Sequence, residues 1–342
     1  LVHFDLLRSY AEKFDRNASD LGVPIMTESG FKNPFALPSR PTVNECYNQI
    51  FKDLESALSL LNNVNTPINT VKERNKIDII GVQAILARVC LYAKSYDEAI
   101  KYSTEVIKAK PLADDFDFPF MWEDNGVEEV AWSLYFGSGE GGRLAASVFS
   151  QGTNRSQFDM SPDVVALFGA SESERIKDIR YTSYVTPELP NASNQPRKGR
   201  HIATKYNKKS TTTVADGIVN FKAFRTGEMY LIRAESYSLT NKDNLALADL
   251  NTLRSTRIPN FIKGTESAEA LKEAISVERR KELWLEGHRW FDLKRTNRLL
   301  KRNNCTAPAT VCELDKSSFR WNFPIPLAEI QANKNMVQNN GY

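Results

Sequence analysis

The chain has 342 residues, 41% hydrophobic and 25% charged. That is the composition of an ordinary globular protein with length for roughly two domains and a core that needs no metal or disulfide to form. It excludes a disordered chain, a collagen-like repeat and a disulfide mini-protein. Forty-five basic against 42 acidic residues leave a net charge of +3, too balanced to argue for nucleic acid or an anionic membrane surface. No apolar run approaches the ~18 residues of a membrane span. The longest, Ile77 to Ala93, is interrupted by Asp78, Gln83 and Arg88.

The sequence opens on Leu1-Val2-His3-Phe4-Asp5-Leu6-Leu7 with no Met, already inside an amphipathic pattern. This predicts that the chain continues a longer one, so a missing signal peptide is no evidence against secretion. Residues 22–41, rich in Pro and turn residues, read as a long loop. Val43, Tyr47, Ile50, Phe51, Leu54, Ala57, Leu58 and Leu61 then form a 3.6-residue stripe, which predicts a helix over 43–61. Thr42 and Glu45 supply a capping box at its start.

Residues 79–110 predict two apolar helices meeting at Lys94-Ser95-Tyr96, closed by Pro111. A second hairpin of the same kind follows at 227–257. Ala87, Cys90, Ala99, Ser103 and Val106 in the first match Ala234, Tyr237, Ala246, Leu250 and Leu253 in the second, all offset by 147 residues. Small residues at matched places are what close helix packing needs, and the pattern is similar to a tetratricopeptide helix-turn-helix. The alternative is coincidence between two ordinary hairpins. Both copies fit one superhelix if the chain leaves it and returns.

The excursion, 112–225, has Gly, Ser, Asn and Thr clusters and scattered aromatics, and predicts loops with a few short strands. Alternation puts Val130, Trp132, Leu134 and Phe136 on one face and turns Tyr135 the other way. Gly137-Ser138-Gly139-Glu140-Gly141-Gly142 matches G-x-G-x-x-G after a strand-like run, but no strand-helix series follows, so it reads as a loop rather than a dinucleotide site.

Along 271–291, Leu271, Ile275, Glu278, Glu282, Leu285 and Arg289 follow one helical face. Two acids so placed could be a hydrolase pair, ~5–6 Å apart at Cβ. They project the same way from one helix, however, and Arg279, Arg280 and Arg289 are at hand. A buried ion-pair network is the better reading, because buried charges survive only when paired. Residues 301–342 read as an extended tail with a turn at Pro324-Ile325-Pro326.

Cys46 and Cys90 sit in apolar helical patterns and read as small buried hydrophobes. Cys305 and Cys312 bracket a short loop, where a local disulfide or two free thiols are both open; a disulfide would imply an oxidising compartment. No zinc spacing, nucleophile elbow or Walker loop is present, and no metal or cofactor is implied. The aromatics of the excursion are the remaining functional signal. Flat rings cover the apolar face of a sugar, while neighbouring amides and charges bond its hydroxyls. Tyr135, Phe149, Asn154, Arg155, Phe158, Tyr181 and Tyr184 are the ligand-binding candidates; the competing reading of each ring is core packing.

Four groups of residues carry a family resemblance. They are Ile275, Glu278-Arg279-Arg280, Glu282-Leu283, Glu286-Gly287, Arg289-Trp290-Phe291-Asp292-Leu293 and Arg295; Phe323-Pro324-Ile325-Pro326 with Glu329-Ile330; Gln338-Asn339 with Gly341-Tyr342; and Glu129-Val130-Ala131-Trp132. Together with the opening segment they resemble the SusD/RagB family of outer-membrane nutrient-binding lipoproteins. The resemblance implies a mostly α, SusD-like fold. That fold is a tetratricopeptide-like helical-repeat scaffold with a loop-rich insertion containing short strands. It also implies a cell-surface location in the outer membrane, with a lipid anchor on a segment before Leu1.

On this reading residues 1–111 are scaffold, 112–225 the variable ligand-binding lobe, 226–300 the returning repeat and signature helices, and 301–342 a tail packing on the scaffold. The partners implied are an oligosaccharide or polysaccharide and a SusC-like TonB-dependent transporter. A peptide-uptake subunit, or an interaction scaffold, is the alternative; a glycoside hydrolase using Glu278 and Glu282 is a third. Two expectations follow. Glu278 and Glu282 should be buried and paired, and at least two of Tyr135, Phe149, Phe158, Tyr181 and Tyr184 should be exposed.

Overall fold

The computed structural model describes residues 1–13, 15–28, 37–62, 64, 73–137, 149–150, 155–156, 159–186, 201–212, 217–303, 305, 308 and 312–342, with the backbone alone at 149–150 and 155–156. The chain begins with helices α1 (Val2–Tyr10), α2 (Val43–Leu61), α3 (Ile79–Tyr92), α4 (Tyr96–Ala109) and α5 (Asp117–Trp122). Strands β1 (Val130–Leu134), β2 (Phe149–Ser150) and β3 (Arg155–Ser156) lead to short helices α6 (Pro162–Phe168), α7 (Glu172–Arg175) and α8 (Ile179–Tyr184). After β4 (Val185–Thr186), β5 (Ile202–Ala203) and β6 (Phe221–Arg225) come α9 (Thr226–Leu239), α10 (Asp243–Arg257), α11 (Ala268–Glu282) and α12 (Arg289–Arg295). Strands β7 (Leu300–Lys301) and β8 (Glu313–Leu314) and helix α13 (Leu327–Ala332) complete it. All strand pairs are two-stranded and antiparallel: β1 with β6, β2 with β3, β4 with β5 and β7 with β8. The fold is mostly α.

The chain divides into two units: Leu1–Asn63, Arg88–Ser95 and Gly287–Tyr342 form the first, Val64–Ala87 and Tyr96–Glu286 the second. In the first unit α1 packs on α2. The α2 stripe is buried from Val43 to Leu54, and Thr42 and Glu45 close the expected capping box. Phe4 meets Tyr92 edge to face at 5.3 Å. The tail is tied to the start of the chain by amides and a guanidinium. Arg40, buried, donates to Gly22 O, Val337 O and Asn339 Oδ1, and Asn339 Nδ2 donates to Tyr10 O and Phe323 O. Cys305 and Cys312 form a disulfide across the β7–β8 ribbon. The tail is therefore less extended than its sequence suggests.

The matched hairpin positions are buried. Ala87, Cys90, Ala99, Ser103 and Val106 are fully buried, as are Ala234, Ala246, Leu250 and Leu253, with Tyr237 packed against them. Lys94 and Asn241 both take φ of 59°, at the same 147-residue offset, so the two inter-helix turns place a left-handed residue at the same position. Helix α4 packs directly on α9, and α9 packs in turn on α10 and α11. The scaffold is tetratricopeptide-like, and the chain does leave it and return.

The excursion holds more helix than predicted. Helices α5 to α8 are four to seven residues long, too short to register in an 11–18-residue periodicity window. They enclose their own core of Phe118, Met121, Trp122, Val164, Phe168, Tyr181, Tyr184 and Tyr206. The β1 alternation also fails at its end. The register slips around Trp132, and Ser133 is buried while Leu134 is exposed; an irregular ladder rotates later side chains to the other face.

Because Ala246 is fully buried in one cluster with Ala234, Leu250, Leu271 and Ile275, a larger side chain there must displace its neighbours. Ala246→Leu should destabilise the protein by ~1–3 kcal/mol, read as a lower urea midpoint at unchanged slope.

Candidate functional site

The acidic helix comes first, because it decides whether the chain has a carboxylate pair to offer a substrate. Helix α11 stops at Glu282, and Leu285 and Gly287 take positive φ in the turn that follows. Leu285 and Arg289 are consequently exposed and do not share the helix face, contrary to the periodic reading. Leu271, Ile275, Glu278 and Glu282 do share it, and all four are buried.

Their partners come from far away in sequence. Arg180, the second residue of α8, forks onto Asp178 with contacts of 2.8 and 2.7 Å. Its other nitrogen reaches Glu282 at 3.0 Å and lies 2.6 Å from Glu278, out of line for a hydrogen bond. Arg257 donates to Glu282 at 2.9 Å and to Glu129 at 2.7 Å. Arg225 contacts Glu282 and donates to Glu129 at 2.9 Å and to both oxygens of Glu286 at 2.9 and 2.7 Å. Lys205 completes the chain on Glu286 at 2.8 Å and on Trp284 O at 2.7 Å, its ammonium lying over the Tyr184 and Trp122 rings. Arg254 closes the other end on Glu278 at 2.8 Å. The local Arg279 and Arg280 turn elsewhere, towards Glu228 and Asp163.

The electrostatics follow. Burial alone would raise the Glu278 carboxyl, but Arg180, Lys281 and Arg254 bring it down to about 2. Glu282 is driven well below the usual carboxylate range by Arg257, Arg225 and Arg180 against the same desolvation. Burial pulls Lys205 down to about 7, with Glu286 opposing. Acids held this firmly ionised, with no exposed face, cannot deliver a proton to a glycosidic oxygen. A Cβ at Gly227, in the first turn of α9, would collide with Glu282 Oε1 and Arg225 Nη1, so the network's tight approach to α9 needs glycine there.

The exposed chemistry lies at the end of β1. Tyr135 is 45% exposed and Leu134 41%. Lys209 Nζ stands 4.9 Å from the Tyr135 ring centre and donates to Phe136 O at 2.8 Å. Asn220 Oδ1 accepts from Phe136 N at 3.1 Å. Asp124 accepts from Asn220 N at 2.9 Å and from Lys222 at 2.6 Å. The ring is thus carried on a hydrogen-bonded base and bordered by an ammonium. Such a surface can stack on an apolar sugar face and bond its hydroxyls; among the described residues it shows no group placed for covalent chemistry.

The other candidates divide. Tyr181 and Tyr184 are buried, which corrects the expectation of exposure. Residues 179–184 form a helix whose Arg180, Tyr181 and Tyr184 face inward. Tyr184 OH donates to Glu282 O at 2.9 Å, and Tyr181 OH pairs with His201 Nδ1 at 2.7 Å. Phe149 and Arg155 lie on β2 and β3, with their side chains outside the described residues, as are Asn154, Phe158 and the glycine motif beyond Gly137. Sequence reasoning missed Arg180, Arg225, Arg257 and Lys205. Their only sequence signal is to be isolated cations in apolar surroundings, such as Arg180 between Ile179 and Tyr181.

Known proteins share this architecture. The SusD family profile matches residues 139–342, and a profile described as starch-binding associating with outer membrane matches residues 1–106. The chain belongs to the SusD family. It is 23% identical to SusD-like protein P38 of Formosa agariphila over 86% of its own length and 66% of that relative's, so it spans just under two thirds of that protein. Among solved structures, a putative sugar binding protein of Bacteroides vulgatus superposes with a TM-score of 0.80 at 25% identity, over 99% of this chain and 74% of that one. A SusD superfamily protein of Bacteroides thetaiotaomicron gives 0.79 at 27%, over 98% and 74%. The SusD match takes in α8, β6 and α9 to α11, the elements that supply most of the ion network.

Two outcomes are expected of that network. Glu282→Gln should cost ~3–5 kcal/mol, because it strands buried arginines; equilibrium unfolding measures it. The depressed Glu278 carboxyl contributes stability that is complete above the unfolded value of 4.5 and lost as pH falls towards about 2, worth about 3 kcal/mol. Glu278→Gln should accordingly flatten the fall in urea midpoint between those pH values, and an unchanged slope would show that its arginines do not act as described.

Proposed function

We propose that this chain is a non-catalytic cell-surface glycan-binding subunit, held at the outer membrane by a lipid anchor, that delivers oligosaccharides to a SusC-like TonB-dependent transporter. The observation that carries the reading is membership of the SusD family. The starch-binding, outer-membrane description of the profile over residues 1–106 and the sugar-binding name of the Bacteroides vulgatus structure support the glycan and the location. Burial and full pairing of Glu278 and Glu282 speak against the hydrolase alternative.

The ligand surface in this proposal is centred on Tyr135. Phe149, Asn154, Arg155 and Phe158 are its further candidate members. Tyr181 and Tyr184 leave it, since a ring inside a core cannot stack on a sugar. A single stacked ring contributes ~0.5–1.5 kcal/mol, so affinity should rise with oligosaccharide length and stay micromolar or weaker, about −8 kcal/mol or less favourable.

A glycan array on the whole protein, followed by calorimetric titration, tests the reading. Tyr135→Ala should weaken binding of the best glycan roughly two- to tenfold and leave the melting temperature unchanged, because the ring is exposed. Binding to peptides and to no glycan would replace this reading with peptide uptake.

A further inference from the structure

The wall beside Tyr135 holds two ammoniums and a single carboxylate paired to them. Asp124 accepts from Lys222 at 2.6 Å and from Asn220 N at 2.9 Å, and the Lys222 and Asp124 side chains are only 2% and 4% exposed. Lys209 stands 3.8 Å from Asp124, beyond hydrogen-bond reach, and its side chain is 20% exposed. Burial pulls the Lys222 ammonium down, Asp124 opposes that, and Lys209 adds to the pull as a like charge. Among the described residues neither ammonium forms an ion pair with any other acid, Glu123 beside Asp124 included. Lys222 and Asp124 cancel each other. One positive charge is left over, and it sits on the lysine that solvent reaches.

That ammonium has donors to spare. A lysine offers three N–H groups; one goes to Phe136 O at 2.8 Å, and Asp124 is too distant to take another as a hydrogen bond. Phe136 follows Tyr135 directly, and its N is held by Asn220 Oδ1. One peptide therefore fixes the ring and the ammonium relative to each other, with the nitrogen 4.9 Å from the ring centre. A pyranose stacked on the exposed ring carries its exocyclic group past the ring edge, towards such a neighbour. A neutral group there leaves the surplus charge to water, whereas an anionic one gains charge-assisted hydrogen bonds, which are about twice as strong as neutral ones.

We infer that the Tyr135 surface selects acidic saccharides, stacking the sugar on the ring and pairing its carboxylate or sulfate ester with Lys209. Lys209 is then the specificity-determining residue. This builds on the proposal that Tyr135 is the glycan surface and adds the class of glycan.

An array of neutral, uronate-bearing and sulfated oligosaccharides, applied to the whole protein, should give its strongest signals with acidic members. The best acid is then titrated beside its own neutral form, made by carboxyl reduction or by desulfation. The acid should bind about tenfold or more tightly, and whether it is a uronate or a sulfate ester separates the two anions. Raising salt from about 0.05 to about 0.5 M should erode that preference, since a pair open to solvent is screened. Lys209→Gln should bring the acid to within about threefold of its neutral form, and Lys209→Arg should restore most of the gap. A lysine that only supports the fold would lower both ligands alike and leave their ratio standing. A neutral best ligand, equal binding of the acid and its neutral form, or a preference that survives Lys209→Gln would overturn the inference. The glycan surface itself would still stand if Tyr135→Ala then weakened the bound glycan. Binding untouched by Tyr135→Ala, or no glycan bound at all, would remove that surface and the inference with it.

Discussion

Desolvation of Glu282 is the constraint on which the second unit is built. A lone carboxylate cannot be buried in a protein interior without strong compensation, and this one is buried completely. Its compensation comes from Arg180 on α8, Arg225 at the end of β6 and Arg257 at the end of α10. Each arginine in turn needs further acids, which draws in Asp178, Glu129 and Glu286. Breaking such a network strands charges, while replacing it whole by apolar residues is often harmless. Its role is therefore best described as specifying one arrangement. Only when the excursion, the returning hairpin and the signature helix meet in this register are all the charges satisfied.

That requirement explains how a repeat interrupted by more than a hundred residues still packs as a repeat. The small residues of α4, α9 and α10 permit close approach, but approach alone would tolerate slippage along the helices. The arginines at the ends of β6 and α10 and the glycine at the start of α9 fix where α11 must lie. The excursion is then free to form its own core around Trp122 and Tyr184. It is joined to the scaffold's chemistry through the Tyr184 hydroxyl on Glu282 O and Lys205 on Glu286.

The same division sorts the aromatic residues. Rings on α5 and α8 fill the excursion's core, and the Tyr135 ring, just past the end of β1, reaches solvent. An exposed ring on a rigid, hydrogen-bonded base suits weak stacking at low entropy cost. Among the described residues, the Tyr135 surface shows no nucleophile or acid poised for proton transfer.

The sequence by itself determined the long elements. Helix α2 and its capping box, the two hairpins with their matched small residues, and the buried, paired state of Glu278 and Glu282 were all legible. Periodicity over three or more turns, and the cost of an unpaired buried charge, are local or near-local properties. The signature residues likewise made the family readable. Tertiary structure alone decided the rest. It chose Arg180, Arg225 and Arg257 over the adjacent Arg279, Arg280 and Arg289, because a helix that ends at Glu282 turns its neighbours away while distant chain ends arrive. It buried Tyr181 and Tyr184 and exposed Leu134, because a six-residue helix and a slipped strand register leave no period to read.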